Sequence, residues 1–150
     1  NLLFVGDGEL RHKITIEGRR LGISGQIRIV DTIPSSQVPE YLNCMDCLVL
    51  PSRTTRKWKE QFGRVLIEAM ACEVPVIGSD SGEIPNVIGE SGLIFREGDV
   101  DDLSSKIKLL INNIDVRVKL AEKGRQRVLN NFTQEKVAKE TYKIYQKMMS

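Results

Sequence analysis

The sequence predicts an α/β fold: a doubly wound, Rossmann-like parallel sheet with helices on both faces and a helical C-terminal tail. Three observations carry this. Short apolar runs rich in branched residues recur along the chain, helical patterns separate them, and after Gly98 the strand-like runs stop. Alternation of this kind implies right-handed crossovers and a parallel sheet covered on both sides. At 150 residues the chain suits one domain with a real core, which removes roughly 70% of the unfolded surface from water. The expected division is a core over 1–98 followed by helices over 99–150.

Leu2–Val5, Ile27–Val30, Leu48–Leu50, Val74–Gly78 and Leu93–Phe95 are short and dominated by branched side chains, and so read as buried strands. Between them, Glu9–Leu21, Val38–Met45, Gly63–Ala71 and a short turn near Ile84–Ile88 read as helices. Asp7, in Gly6-Asp7-Gly8, is placed to cap the first helix. The triplet lacks a full dinucleotide-binding pattern, because Arg11 stands at the third glycine position. In the tail, Asp101 caps a helix whose Leu103, Ile107, Leu110 and Ile111 share one face. A second helix covers Val116–Asn130. A third follows Thr133 with Val137, Thr141, Ile144 and Met148 in one stripe.

Composition excludes several classes. Basic and acidic residues nearly cancel, 22 against 20, which argues against a nucleic-acid binder. No apolar run approaches the ~20 residues of a membrane span, and no signal peptide is visible. Three cysteines, an odd number, point to free thiols and a cytoplasmic setting. Cys44 and Cys47 have redox-pair spacing but precede a strand rather than open a helix, so a structural role is expected. One histidine, His12, lies between Arg11 and Lys13 on a surface helix, and zinc ligands are too few. The chain opens directly on a strand, and is read as a piece of a longer protein.

Glu60-Gln61-Phe62-Gly63-Arg64-Val65-Leu66-Ile67-Glu68 carries the chemistry. A lone glutamate is usually just a solvated helix face. Glu68, however, lies among Val65, Leu66, Ile67, Ala69, Met70 and Ala71, where a buried carboxylate needs donors or cations. Glu60 precedes a Phe-Gly pair where a helix begins. A glycine for close approach and free amides at a helix N-terminus make an anion- and hydroxyl-binding corner. A ligand bearing phosphates and hydroxyls, such as a nucleotide sugar, would satisfy it. The corner follows Leu50-Pro51-Ser52, a strand end, where open α/β sheets bind ligands.

Pro51-Ser52, then Glu60-x-Phe62-Gly63-x4-Glu68-Ala69-Met70-Ala71-Cys72-x-Val74-Pro75-Val76-Ile77, then Ser79-Asp80-Ser81-Gly82-x-Ile84-Pro85 resembles the donor-binding half of retaining GT-B glycosyltransferases. Two glutamates eight apart are common; the same spacing with the intervening motifs in register is specific. The resemblance extends from Phe4-Val5-Gly6-Asp7-Gly8 to the terminal helices. It implies that Glu68 accepts hydrogen bonds from the ribose diol, as an ionised carboxylate does bidentately. It implies that Glu60 faces the donor sugar as the catalytic-site carboxylate. Backbone amides of the Gln61–Val65 segment, Phe62, Gly63, Arg64 and Val65 included, would serve sugar hydroxyls and phosphate oxygens. The Arg64 side chain itself is expected to be solvated. Asp31, Thr32 and Ile33 would form a nucleobase loop through their backbone, and Gly82 would let the backbone approach phosphate.

The resemblance further implies a UDP- or GDP-sugar substrate, no metal and no separate cofactor, with an N-terminal acceptor-binding domain as partner. The Arg and Lys that neutralise the leaving diphosphate would lie in a segment before Asn1. Glu73 stands where a glycine is usual, so its turn either forms without positive φ or is strained. Glu83 also replaces a frequent glycine. Lys119, Lys123, Arg125, Arg127, Lys136, Lys139, Lys143 and Lys147 make the tail's polar face basic, which is ordinarily only solvation. Lipid-linked acceptors in related enzymes add peripheral contact with the inner face of a membrane as an alternative. Two other readings stay open: a receiver-like signalling module, poorly served by the scattered Asp31 and Asp80, and a non-catalytic nucleotide-sugar binder.

Overall fold

A computed structural model describes residues 1–149. The chain falls into two compact units, one over Asn1–Val38 and one from Pro39 onward. In the first, β1 (Leu2–Val5) pairs parallel with β2 (Ile27–Val30), and α1 (Arg11–Arg20) connects them. A Cβ on Gly18 would meet Ile27 Cδ1 at 2.6 Å, so α1 lies close against β2. Two strands and one helix cover few apolar side chains. Leu2, Phe4 and Val5 are accordingly 37–48% exposed, which corrects the expectation of a buried first strand. Asp7 does not cap α1. Its Oδ1 accepts the neighbouring Gly8 amide at 2.9 Å, and the cap position belongs to Leu10.

The second unit is built on a three-stranded parallel sheet ordered β3-β4-β5: Leu48–Leu50, Val76–Ser79 and Leu93–Phe95. The central β4 starts two residues later than its apolar run suggests. Val74 is drawn into the preceding turn, where its amide bonds to Ala69 O. Every residue of β4 is buried, and alternation along the strand assigns its two faces. Ile77 points with Val49, Leu93 and Phe95 toward α5 (Val100–Asn112) and the first half of α6 (Ile114–Asn131). On the opposite face, a Cβ at Gly78 would run into Ile84 and Ile88 of α4 (Ile84–Ile88). Helices therefore cover both faces of this sheet.

Before β3 comes a short helix, α2 (Val38–Leu42), and between β3 and β4 lies α3 (Arg64–Ala71). Asp99, not Asp101, caps α5, through an Oδ1 that accepts the Asp102 amide at 2.9 Å. Asp101 sits in the first turn, and Ile111 is 68% exposed, off the buried face that Leu110 holds. The last helix, α7 (Gln134–Met149), buries none of its residues. No helix among the described residues is long and apolar enough to cross a membrane.

Two arginines assigned to the basic tail turn inward. Arg125 donates to Ala71 O at 2.6 Å, and Arg127 donates to Val87 O and Asn86 O at 2.7 and 2.6 Å. Each thus satisfies carbonyls at a helix C-terminus, α3 and α4 respectively. Glu73 has φ +58, so the strained alternative holds for its turn. Arg125 also reaches Glu73 Oε1 at 3.4 Å.

Candidate functional site

Glu60 is the hub of a polar network at the carboxyl ends of β3, β4 and β5. Its Oε1 accepts the Gly63 amide at 3.0 Å, and its Oε2 accepts the Ser52 hydroxyl at 3.2 Å. Its own carbonyl accepts the Glu83 amide at 3.1 Å. Ser52 is held in turn, because Ser79 donates to its carbonyl at 2.7 Å. Thr54 and Ser81 hydroxyls bond at 2.8 Å, and the Thr54 amide donates to Glu97 Oε1 at 2.8 Å. Glu97 donates its amide to Asp80 Oδ1 at 2.7 Å. Ser79 and Ser81, 0% and 1% exposed, are buried polar groups, and these bonds account for their presence there.

Gly63 holds the N-cap position of α3 in the left-handed conformation, φ +74, and the Glu60 carboxylate accepts the Gly63 amide from three residues back, without bonding to the helix's own first-turn amides. The Gly63 amide, expected to serve a ligand, is therefore taken by Glu60. The Arg64 and Val65 amides follow it in the first turn, where an α-helix supplies no acceptors. Phe62 is 45% exposed, and its ring meets Phe132 edge-on with centroids 6.0 Å apart. Gln61 is exposed.

Glu68 lies one turn into α3. Its neighbours Leu66, Ala69 and Met70 take the buried face, while its own side chain remains 34% exposed. The apolar flanks therefore do not bury it, since a helix turns flanking residues toward different sides. Arg64 Nε stands 3.2 Å from Glu68 Oε1, so Arg64, though 78% exposed, is not simply solvated. One pair of residues thus presents a carboxylate and a guanidinium side by side at the helix start.

Gly82, φ +61, allows a close approach, and what approaches is the Glu60 carbonyl: a Cβ at Gly82 would overlap that oxygen. In the first unit, Asp31 is exposed and pairs with Arg11 Nη1 at 2.6 Å, Thr32 is exposed and Ile33 half-buried. Cys44, Cys47 and Cys72 are free thiols. Burial pushes the Cys47 thiol up from its ordinary pKa, with Asp46 adding to the effect. This fits a structural role.

The sequence reading missed most of the network. Ser79, Ser81, Thr54 and Glu97 reach the site from three strand ends, and contacts between distant segments leave no periodic trace. A run of small polar residues directly after an apolar strand, Ser79-Asp80-Ser81-Gly82, was the available signal. Asp99-Val100-Asp101 has Asp-x-Asp spacing, which corrects the expectation that the sequence offers no such metal motif. Asp99 is engaged as the α5 cap, and Asp102 Oδ2 accepts the Arg96 amide at 2.9 Å.

A family model described as glycosyl transferases group 1 matches residues 1–127. N-acetyl-alpha-D-glucosaminyl L-malate synthase of Bacillus anthracis is 33% identical over 96% of this chain and 36% of its own length. A capsular polysaccharide biosynthesis glycosyltransferase of Staphylococcus aureus is 34% identical over 96% of the chain and 37% of its own length. Among solved structures, sucrose-phosphate synthase of Thermosynechococcus elongatus superposes with a TM-score of 0.82 at 28% identity, covering 99% of this chain and 38% of that one. The chain thus spans less than two fifths of the length of these relatives.

Proposed function

Since the chain belongs to the glycosyl transferases of group 1, we propose that it is the nucleotide-sugar-binding domain of a retaining, metal-independent glycosyltransferase. The carrying observation is the corner at the start of α3, where Glu60, the first-turn amides and Glu68 line up beyond the carboxyl end of β3. Glu68 accepts from the ribose diol, exchanging its Arg64 partner for charge-assisted hydrogen bonds. Glu60 shapes the sugar end and holds Gly63, while the Arg64 and Val65 amides face the anionic part of the donor. Gly82 serves the site indirectly, by letting the Glu60 carbonyl settle against the turn before α4.

Catalysis in the whole protein is electrostatic: fixed donors stabilise the departing nucleoside diphosphate while the acceptor attacks the same face of the sugar. The transferred group is a hexose, and the acceptor a glycan or a lipid-linked molecule. The two bacterial relatives, one named for glucosaminyl malate synthesis and one for capsule biosynthesis, support the sugar chemistry and leave the acceptor open. Metal independence rests on the resemblance. An acceptor-binding domain and peripheral membrane contact belong to the same proposal, on the cytoplasmic side.

Ligand-detected NMR of the full-length protein against uridine, guanosine and adenosine diphosphates and their sugars tests the reading. Saturation by one nucleotide series, lost in Glu68→Gln, is the expected result. Retention of configuration in the product and activity in the presence of EDTA test the finer claims. Binding of none of the nucleotides would sink the assignment.

A further inference from the structure

The loop between β3 and Glu60 carries four cations in seven residues, Arg53, Arg56, Lys57 and Lys59, in a chain whose formal net charge is only +2. All four are exposed. Among the described residues none of them has a carboxylate within ion-pair distance. Glu97, which is bonded to this loop, gives its Oε1 to the Thr54 amide instead.

The loop is also built rather than loose. The Thr55 amide donates to Trp58 O at 2.7 Å, and the Thr55 hydroxyl oxygen accepts the Trp58 and Lys57 amides at 3.0 and 3.3 Å. Thr54 ties it to the buried Ser81. These anchors hold the cations at the carboxyl edge of the sheet, next to Glu60. Like charges gathered on an ordered loop repel one another, and an anion relieves that cost. Guanidinium forks and ammonium groups together match phosphate oxygens.

We propose that the Arg53–Lys59 loop is a recognition element for a phosphate-bearing ligand group at the mouth of the site. The proposal deepens the donor-binding reading and takes its ligand classes from it. The phosphate belongs either to the donor's diphosphate or to a phosphorylated acceptor. Near-neutral overall charge and a single tryptophan disfavour a nucleic acid, which needs an extended basic surface and several stacking rings.

Trp58 is the only tryptophan of the 150 residues and sits inside the loop, 51% exposed, so its emission reports on the loop directly. The full chain is titrated with inorganic pyrophosphate, UDP, GDP, uridine, guanosine, decyl phosphate and decanol, at low and raised salt. The comparison protein is R53Q/R56Q/K57Q/K59Q, whose changes are all on exposed side chains. Pyrophosphate should bind roughly tenfold more weakly to the variant, the effect of losing about one charge-assisted hydrogen bond, with nucleosides and decanol unaffected. Raised salt should weaken it in the unaltered chain, which keeps the test valid if the variant misfolds. A matching loss for UDP or GDP assigns the donor; a loss for decyl phosphate alone assigns the acceptor. If neither nucleoside diphosphates nor nucleosides bind more tightly than pyrophosphate, the donor reading fails while the loop assignment stands. Failure to bind any of these phosphates, or equal binding by both proteins, would overturn the proposal.

Discussion

The carbonyl oxygen of Glu60 occupies the space where a Cβ on Gly82 would stand, and from there it accepts the Glu83 amide at 3.1 Å. Two segments of the donor-site motif, twenty-two residues apart, are thus locked by a backbone contact that only glycine permits. Gly82→Ala adds both this overlap and a side chain at φ +61, a strain of ~1–3 kcal/mol. Urea denaturation should show that loss, and transfer by the full-length enzyme should fall further than nucleotide affinity, because Glu60 is what moves. Unchanged stability and activity would mean that the contact is dispensable.

Glu68 and Glu60 should separate binding from transfer. Glu68→Gln should weaken donor binding by ~1–3 kcal/mol through lost charge-assisted hydrogen bonds. Arg64→Gln, at a largely exposed pair, should change it little. Glu60→Ala should harm transfer more than binding of the bare nucleoside diphosphate, and should cost ~1–3 kcal/mol of stability by leaving the Gly63 amide and the Ser52 hydroxyl without their acceptor. Calorimetry with the nucleoside diphosphate, set beside turnover, separates the two roles. Equal losses for Glu60→Ala in both would refute the division.

How much of this was legible beforehand follows from which interactions are local. Four strands stood at their observed bounds, because runs such as Ile27–Val30 and Leu93–Phe95 have no other apolar arrangement available. Capping was read less well. Several aspartates near one helix start compete, and only the fold shows that Asp99 rather than Asp101 reaches the amide three residues on. The motif register located Glu60, Gly63 and Glu68. It did not show that Glu60 would spend its carboxylate on Gly63 and Ser52, nor that Arg125 and Arg127 would cap helices far from them in sequence.

Glu73 has a left-handed backbone, φ +58, where a non-glycine residue costs ~1–2 kcal/mol. Its pair with Arg125, 3.4 Å apart and mostly exposed, returns ~0–1 kcal/mol. Glu73→Gly should therefore raise stability by ~0.5–1 kcal/mol. A urea midpoint that falls instead would show the ion pair to outweigh the strain.

The Arg96 amide, bonded to Asp102 Oδ2, holds that carboxyl below its ordinary range, and Lys106 adds to the effect. A depressed folded-state pKa stabilises the fold above the ordinary carboxylate value and loses that stabilisation as pH falls through the lowered one. Stability of the unaltered chain should drop below about pH 4. Asp102→Asn should remove this component of the slope. Urea midpoints taken from neutral pH downward would show it, and parallel curves for the two proteins would rule Asp102 out.

The last helix should behave as a segment that belongs elsewhere. Among its side chains Tyr142, Ile144, Tyr145, Met148 and Met149 are 58–78% exposed, an apolar surface larger than a solvated helix carries. Its neighbour across the turn, Phe132, is half-buried against Phe62, so the change from packed to unpacked falls at Thr133 and Gln134. Without tertiary burial a helix of sixteen residues is marginal in water. Amides over 134–149 of this chain should exchange at least ~100-fold faster than those of β4, which is buried at every residue. Ending the chain at Thr133 should shift the urea midpoint by less than the equivalent of ~1 kcal/mol. In the full-length protein the same amides should become protected, because the proposed acceptor-binding domain would cover the stripe. Protection in the isolated chain equal to that of the Leu48–Leu50 strand would show that the helix is stabilised within this chain, and its proposed cover by the acceptor-binding domain would be abandoned.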